Sequence, residues 1–208
     1  MKLSKLAAVV VLAALPCVSY AQQAEGTGWS VNADLGYNQH ALDVAGGYEE
    51  ETGKDTAPAV GVSYKFQDVW SVQLQFADAG RADLFSFNEG SAKYTFSSET
   101  SQINLFGAFD SGREVGNWGF GARLGLSKWD TSMFISGTNG SQSQEAELDN
   151  DSGDSLIGGI STFYAINDNF DLTFSADWSV TEPDIEVIEG QGTEIQYSRY
   201  AVGVAYHF

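Results

Sequence analysis

The stretch Phe170-Asp-Leu-Thr-Phe-Ser-Ala-Asp-Trp178 alternates apolar and polar residues without a break. Phe170, Leu172, Phe174, Ala176 and Trp178 fall on one side of an extended chain, and Asp171, Thr173, Ser175 and Asp177 on the other, which is the period-two signature of a β-strand. The pattern returns upstream in Trp29–Tyr37, where Trp29, Val31, Ala33, Leu35 and Tyr37 oppose Ser30, Asn32, Asp34 and Gly36. It recurs at residues 59–66, 70–77, 102–109 (more weakly), 118–127 and 199–208, while the Gly-rich segment 156–164 reads ambiguously. Counting that segment, eight strands are expected, and no 3.6-residue stripe competes with them.

The connections alternate in length. Gln67-Asp68, Asp110–Asn117 and Ile166–Asn169 are short, whereas residues 41–57, 79–100, 130–154 and 180–194 read as long polar loops. Short turns at one end, long loops at the other and an even strand number predict an all-β fold, an eight-stranded antiparallel transmembrane up-and-down β-barrel. Closure pairs the last strand with the first and leaves no edge.

Composition narrows the function. Lys+Arg total 10 against Asp+Glu 28, a net charge of −18, so nucleic acid, which needs clustered cations, is excluded as a partner. No run of 18 apolar residues follows residue 20, so a transmembrane helix is not expected. Lys2 and Lys5, the apolar run Leu6–Leu15 and the small residues Ser19 and Ala21 form a secretory signal with cleavage after Ala21. That division gives residues 1–21 as signal peptide and 22–208 as the barrel domain. Cleavage removes Cys17, the single cysteine, and with it any Cys-based disulfide, zinc site or nucleophile.

Alternation alone does not say which face meets lipid. The polar face carries Asp34, Gln73, Gln75, Arg123, Asp171, Asp177 and Arg199 among many Gly, Ala and Ser residues, a mixture that suits a narrow interior where charges pair. Aromatic residues mark strand ends: Trp29, Trp70, Trp118, Phe170, Tyr206 and Phe208 toward the short turns, Tyr37, Phe76, Trp178 and Tyr200 toward the other end. Rings at two levels match interfacial girdles. The apolar face is therefore expected to point outward, with Asp34, Arg123, Asp171, Asp177 and Arg199 forming an interior charge network.

Arg123-Leu-Gly-Leu-Ser-Lys-Trp129-Asp-Thr131, Asp149-Asn-Asp-Ser-Gly153 and Ile157-Gly-Gly-Ile-Ser-Thr-Phe-Tyr164-Ala-Ile166 resemble the OmpA-like transmembrane domain family of bacterial outer-membrane proteins. The resemblance covers about 40 residues in motif and implies an outer-membrane barrel serving envelope integrity, surface contact or adhesion. Two departures stand out: the chain ends at the barrel, without a peptidoglycan-binding domain, and the family's interior Glu near the end of the sixth strand is Phe163 here. The second puts in doubt any carry-over of the family's interior salt-bridge gate.

No cofactor, metal or catalytic residue is expected. Glu49-Glu-Glu51 and the acidic run 145–154 could offer oxygen ligands to Ca²⁺, but Gly153 falls where an EF-hand loop needs a ligand. They read as solvated acidic loops. A lipid A-modifying enzyme would need Ser, His and a carboxylate at the lipid-facing rim; of the two histidines, His207 lies inward and His40 is read as a solvated rim residue. The expected protein is a monomeric, non-enzymatic barrel of a Gram-negative outer membrane. Lipid and lipopolysaccharide surround it, and its acidic loops meet a host or surface ligand; a lipid A-modifying enzyme and a narrow ion-conducting barrel are the alternatives.

Overall fold

The computed structural model describes residues 27–44, 51–112, 117–139, 142–181 and 193–208; the signal segment, Glu49 and most of the stretch between residues 180 and 194 lie outside them. The described chain forms β1 (Gly28–Val44), β2 (Glu51–Gln67), β3 (Trp70–Glu89), β4 (Ala92–Asp110), β5 (Trp118–Asn139), β6 (Gln142–Ala165), β7 (Phe170–Thr181) and β8 (Thr193–His207). Each strand pairs antiparallel with the next, and β8 returns to β1, from Ser30↔His207 to Val44↔Thr193, closing the barrel. Closure satisfies the backbone of every strand within the membrane, where no water is available to do so.

The apolar face points outward. Leu35, Leu124, Leu126, Leu156, Ile160 and Val202 are all more than half exposed on the barrel's outer surface, a pattern that lipid, not water, accommodates. The aromatic residues Trp29, Trp70, Trp118, Phe170 and Tyr206 ring the short-turn end, each packed against a neighbouring ring such as Tyr64, Phe109 or Tyr164. Phe208 sits edge-on against Tyr206 at that level. Tyr37 and Tyr200, directly opposed on β1 and β8, and Trp178 on β7 mark the other girdle.

The strands, not the loops, supply most of the length beyond that girdle, which corrects the expectation of long loops at 79–100 and 130–154. β3 and β4 run 20 and 19 residues and join through a tight Gly90-Ser91 turn. β5 and β6 run 22 and 24 residues. Gly90 takes a φ of +63°, the left-handed conformation that such a turn requires. A tilted strand spans the hydrocarbon in about 9–11 residues, so roughly the outer half of β3–β6 stands above the membrane as a continuation of the sheet. The ambiguous segment 156–164 lies wholly within β6, and the acidic run 145–154 is its strand extension.

Candidate functional site: a paired charge belt inside the barrel

Register brings the interior charges together. Arg123 on β5 lies opposite Gly159 on β6, Gly159 opposite Asp177 on β7, Asp177 opposite Arg199 on β8, and Arg199 opposite Asn38 on β1. These positions form one inward row across five adjacent strands. Asp34 joins it from two inward positions below Asn38.

Within the row the pairing is specific. Arg123 reaches over Gly159 and grips Asp177 with two bonds, Nε to Oδ1 at 2.7 Å and Nη2 to Oδ2 at 2.5 Å. Its guanidinium also lies 4.7 Å from the centroid of the buried Phe106 ring, a cation–π contact. A Cβ at residue 159 would collide with Asp177, which explains the glycine between the two partners. Arg199 lies along β1 over Gly36, donating to Asp34, to Asn38 Oδ1 at 3.0 Å and to the Ala57 carbonyl at 3.2 Å. Tyr197 Oη donates to Asn38 Oδ1 at 2.8 Å, and Gln75 links Asp34 to Asn104.

Two arginines and two aspartates balance, and each has the other's charge within bonding distance. That is how a closed interior holds ions that desolvation would otherwise penalise. Asp171 stands apart: it accepts from His207 Nε2 at 2.8 Å at the short-turn end. The five expected interior charges therefore divide into a four-membered belt and one separate pair. Asn38, Tyr197, Gln75 and Phe106 complete the belt and were missed in the sequence. The inward parity of Arg199 extends two residues back to Tyr197, and that of Asp34 forward to Asn38, so the signal was present beyond the stretches where apolar residues alternate.

Above the belt His40 departs from the expectation of a solvated rim residue. It is fully buried on the lumenal side: Nε2 lies 3.2 Å from the Ala79 carbonyl and Nδ1 3.4 Å from Ser98 Oγ, with the Tyr197 ring edge-on. The strand's parity, which turns Asn38 inward, turns His40 inward with it. Phe163, at the position of the missing Glu, leans over Gly119 near the short-turn end. Among the described residues no group of three or more His, Cys, Asp or Glu side chains could hold a metal ion.

On the outer half of the sheet, Arg81 binds Glu145 through two bonds of 3.0 and 2.8 Å and covers the Phe134 ring. These hydrogen bonds hold the Glu145 carboxyl below its usual range.

Residues 8–208 match the family described as outer membrane protein beta-barrel domain. The chain belongs to that family. It is an outer-membrane β-barrel protein of a Gram-negative bacterium. Among solved structures it is similar to Ail, the attachment invasion locus protein of Yersinia pestis, at 17% identity over 87% of this chain and 99% of that one, TM-score 0.48. Neisserial surface protein A is similar at 16% identity over 88% and 100%, TM-score 0.48. OprG of Pseudomonas aeruginosa follows at 11% identity over 88% and 96%, TM-score 0.45. No curated protein sequence matches this outer-membrane barrel.

Proposed function

We propose that the protein is a non-catalytic, monomeric anchor that holds an acidic, sheet-built platform above the cell surface, serving surface interaction or envelope integrity. The observation that carries this reading is the height of β3–β6, which run 20, 19, 22 and 24 residues where about 9–11 suffice to span the hydrocarbon. The tall hairpins present Glu145, Glu147, Asp149, Asp151 and Asp154 on β6, a strand with no Lys or Arg. Such a surface attracts a cationic partner, or divalent ions shared with lipopolysaccharide phosphates. Rigid pairing of the belt supports an anchoring barrel over an ion path, and the enclosure of His40 in the lumen counts against a lipid A-modifying site at the rim.

The experiment is to replace Met133–Asp149 with an Asn-Gly turn, which closes the hairpin on the Ser132↔Asn150 pair and removes Glu145, Glu147 and Asp149. The same variant carries Asp151→Asn and Asp154→Asn. The shortened protein is expected to fold and shift on boiling in SDS gels, but to lose attachment of cells to host or cationic surfaces and to weaken envelope resistance to detergent. Unchanged attachment and resistance in the folded variant would overturn the platform reading.

A further inference from the structure

Most of the interior polar atoms without partners among the described residues are gathered in one place; Asp171 Oδ1 and Arg199 Nε lie apart from it. Gln102 (both amide atoms), Asn104 Oδ1, Ser127 Oγ, Trp129 Nε1, Ser155 Oγ and Ser179 Oγ are buried and unbonded. In register, Gln102 opposes Trp129 and Trp129 opposes Gly153, while Asn104 opposes Ser127 and Ser127 opposes Ser155. Ser179 stands beside them on β7, opposite Ile157. The result is a single uncharged patch on the lumenal side of β4–β7. Buried polar groups are as a rule satisfied, and a cluster that is not calls for a partner from elsewhere.

This patch meets the wall of the barrel where the wall divides. β6 and β7 are paired from Ile157↔Ser179 toward the short-turn end; beyond that point, among the described residues, β6 pairs with β5 only and β7 with β8 only. In the fork lies a cleft of about 660 Å³. Leu124, Leu156 and Trp178 line its lipid-facing side, and Trp129, Ser155 and Ser179 line its inner side. Gly153 gives the Trp129 indole room against the strand, since a Cβ there would fall 2.6 Å from Cζ2. Trp178 belongs to the outer girdle, so the fork opens at the headgroup level of the outer leaflet.

We propose that the fork is a binding site for an outer-leaflet amphiphile with an uncharged, hydroxyl-rich head, such as a glycolipid. Its chain lies along Leu124, Leu156 and Trp178. Its head hydroxyls accept from Trp129 Nε1–H and exchange hydrogen bonds with Ser155 and Ser179, and Gln102, Asn104 and Ser127 continue the same chemistry behind them. Amides, hydroxyls and an indole N–H recognise neutral oxygen groups. The carboxylates of Asp151 and Asp154, which also line the cleft, repel a phosphate head and leave a sugar unopposed.

The test uses the full barrel, labelled with ¹⁵N at tryptophan and refolded in phosphatidylcholine nanodiscs, with the Trp129 Nε1–H signal assigned through Trp129→Phe. Adding monogalactosyl diacylglycerol at constant total lipid is expected to move the Trp129 signal saturably, and Trp178 with it, while Trp29, Trp70 and Trp118 at the opposite girdle stay in place. Phosphatidylglycerol should leave all of them unmoved, and Ser155→Val with Ser179→Val should cut the galactolipid response at least tenfold. Heat-shifted migration on gels verifies that each variant is folded. A folded barrel whose Trp129 signal ignores the galactolipid, answers equally to phosphatidylglycerol, or responds unchanged in the double variant overturns the proposal; the first result would mean that water alone satisfies the patch.

Discussion

At the scale of single residues, the belt makes an asymmetric prediction. Arg199 and Asp34 are both almost wholly enclosed, so removing one strands the other as an unpaired buried ion. Arg199→Met is expected to cost about 3–5 kcal/mol, read as a lower urea midpoint for the barrel in lipid vesicles. Arg199→Met combined with Asp34→Leu should recover most of that loss, because a neutral, apolar pair leaves no orphan charge. If the double variant is as unstable as the single one, the pair is not the source of the cost. His40 gives a second prediction, at a position above the Tyr37 girdle. Burial, the largest cause, holds its imidazole below the ordinary 6.5, against the opposing pull of the Ala79 carbonyl and Asp55. The unfolded chain takes up a proton near 6.5 while the folded one does not, so the unfolded state binds more protons below that pH. Stability therefore falls as pH drops from 6.5 toward the depressed native value, and above 6.5 His40 contributes no slope. Thermal unfolding at pH 7.5 and pH 5 should show this fall, and His40→Asn should flatten it. An undiminished slope in the variant would assign the effect to other groups.

At the scale of strands, the neighbouring glycines 158 and 159 of β6 separate two roles that composition leaves merged. A methyl group at residue 159 would meet Asp177 and lie 2.8 Å from the Ala176 carbonyl, whereas at residue 158 the nearest atom is 3.7 Å away, on the Leu124 side chain. Gly159→Ala should therefore destabilise the barrel by about 1–3 kcal/mol through overpacking, and Gly158→Ala should be neutral or slightly stabilising. Equal midpoints for the two variants in the same urea series would contradict this. The contrast also shows what could be read in advance. Strand halves within the membrane were legible because lipid and lumen impose opposite chemistry on alternate residues. Above the girdle, both faces of Gln142–Leu148 are exposed, so alternation fades and the segment resembles a loop in sequence although its backbone remains paired. The charge belt was half legible for a related reason. Parity placed Arg123, Asp177, Arg199 and Asp34 inside, but their partners depend on stagger between strands. Arg199 faces Asp177 in register yet bonds Asp34, and Arg123 takes Asp177 across a glycine.

At the scale of the whole molecule, the sense of the barrel, apolar face outward, fixes how the cost of a charge varies along one strand. On β8 the outward residues Tyr200, Val202, Val204 and Tyr206 run from one girdle to the other. A lysine at Val204, near the middle of the hydrocarbon, must either be desolvated or drag water and headgroups inward. About 2–4 kcal/mol is expected for Val204→Lys in vesicles, falling to about 0–1 kcal/mol for Tyr206→Lys at the interface, where the ammonium reaches water by extending its stem. The inward neighbour Ala205 serves as the control for position along the strand, since Ala205→Ser adds a polar atom to a lumen already built of polar atoms and should change little. Urea midpoints in the same vesicles, with boiled and unboiled gel migration to count folded barrels, measure all three. In a soluble barrel with its apolar side inward, Val204 would lie in a dry core and Ala205 on the wet surface, so Val204→Lys would block folding with or without vesicles and its cost would carry no dependence on lipid. The depth dependence on a single strand therefore tests the orientation of every residue in the sheet at once, including the inward turn of the charge belt on which the anchoring role depends.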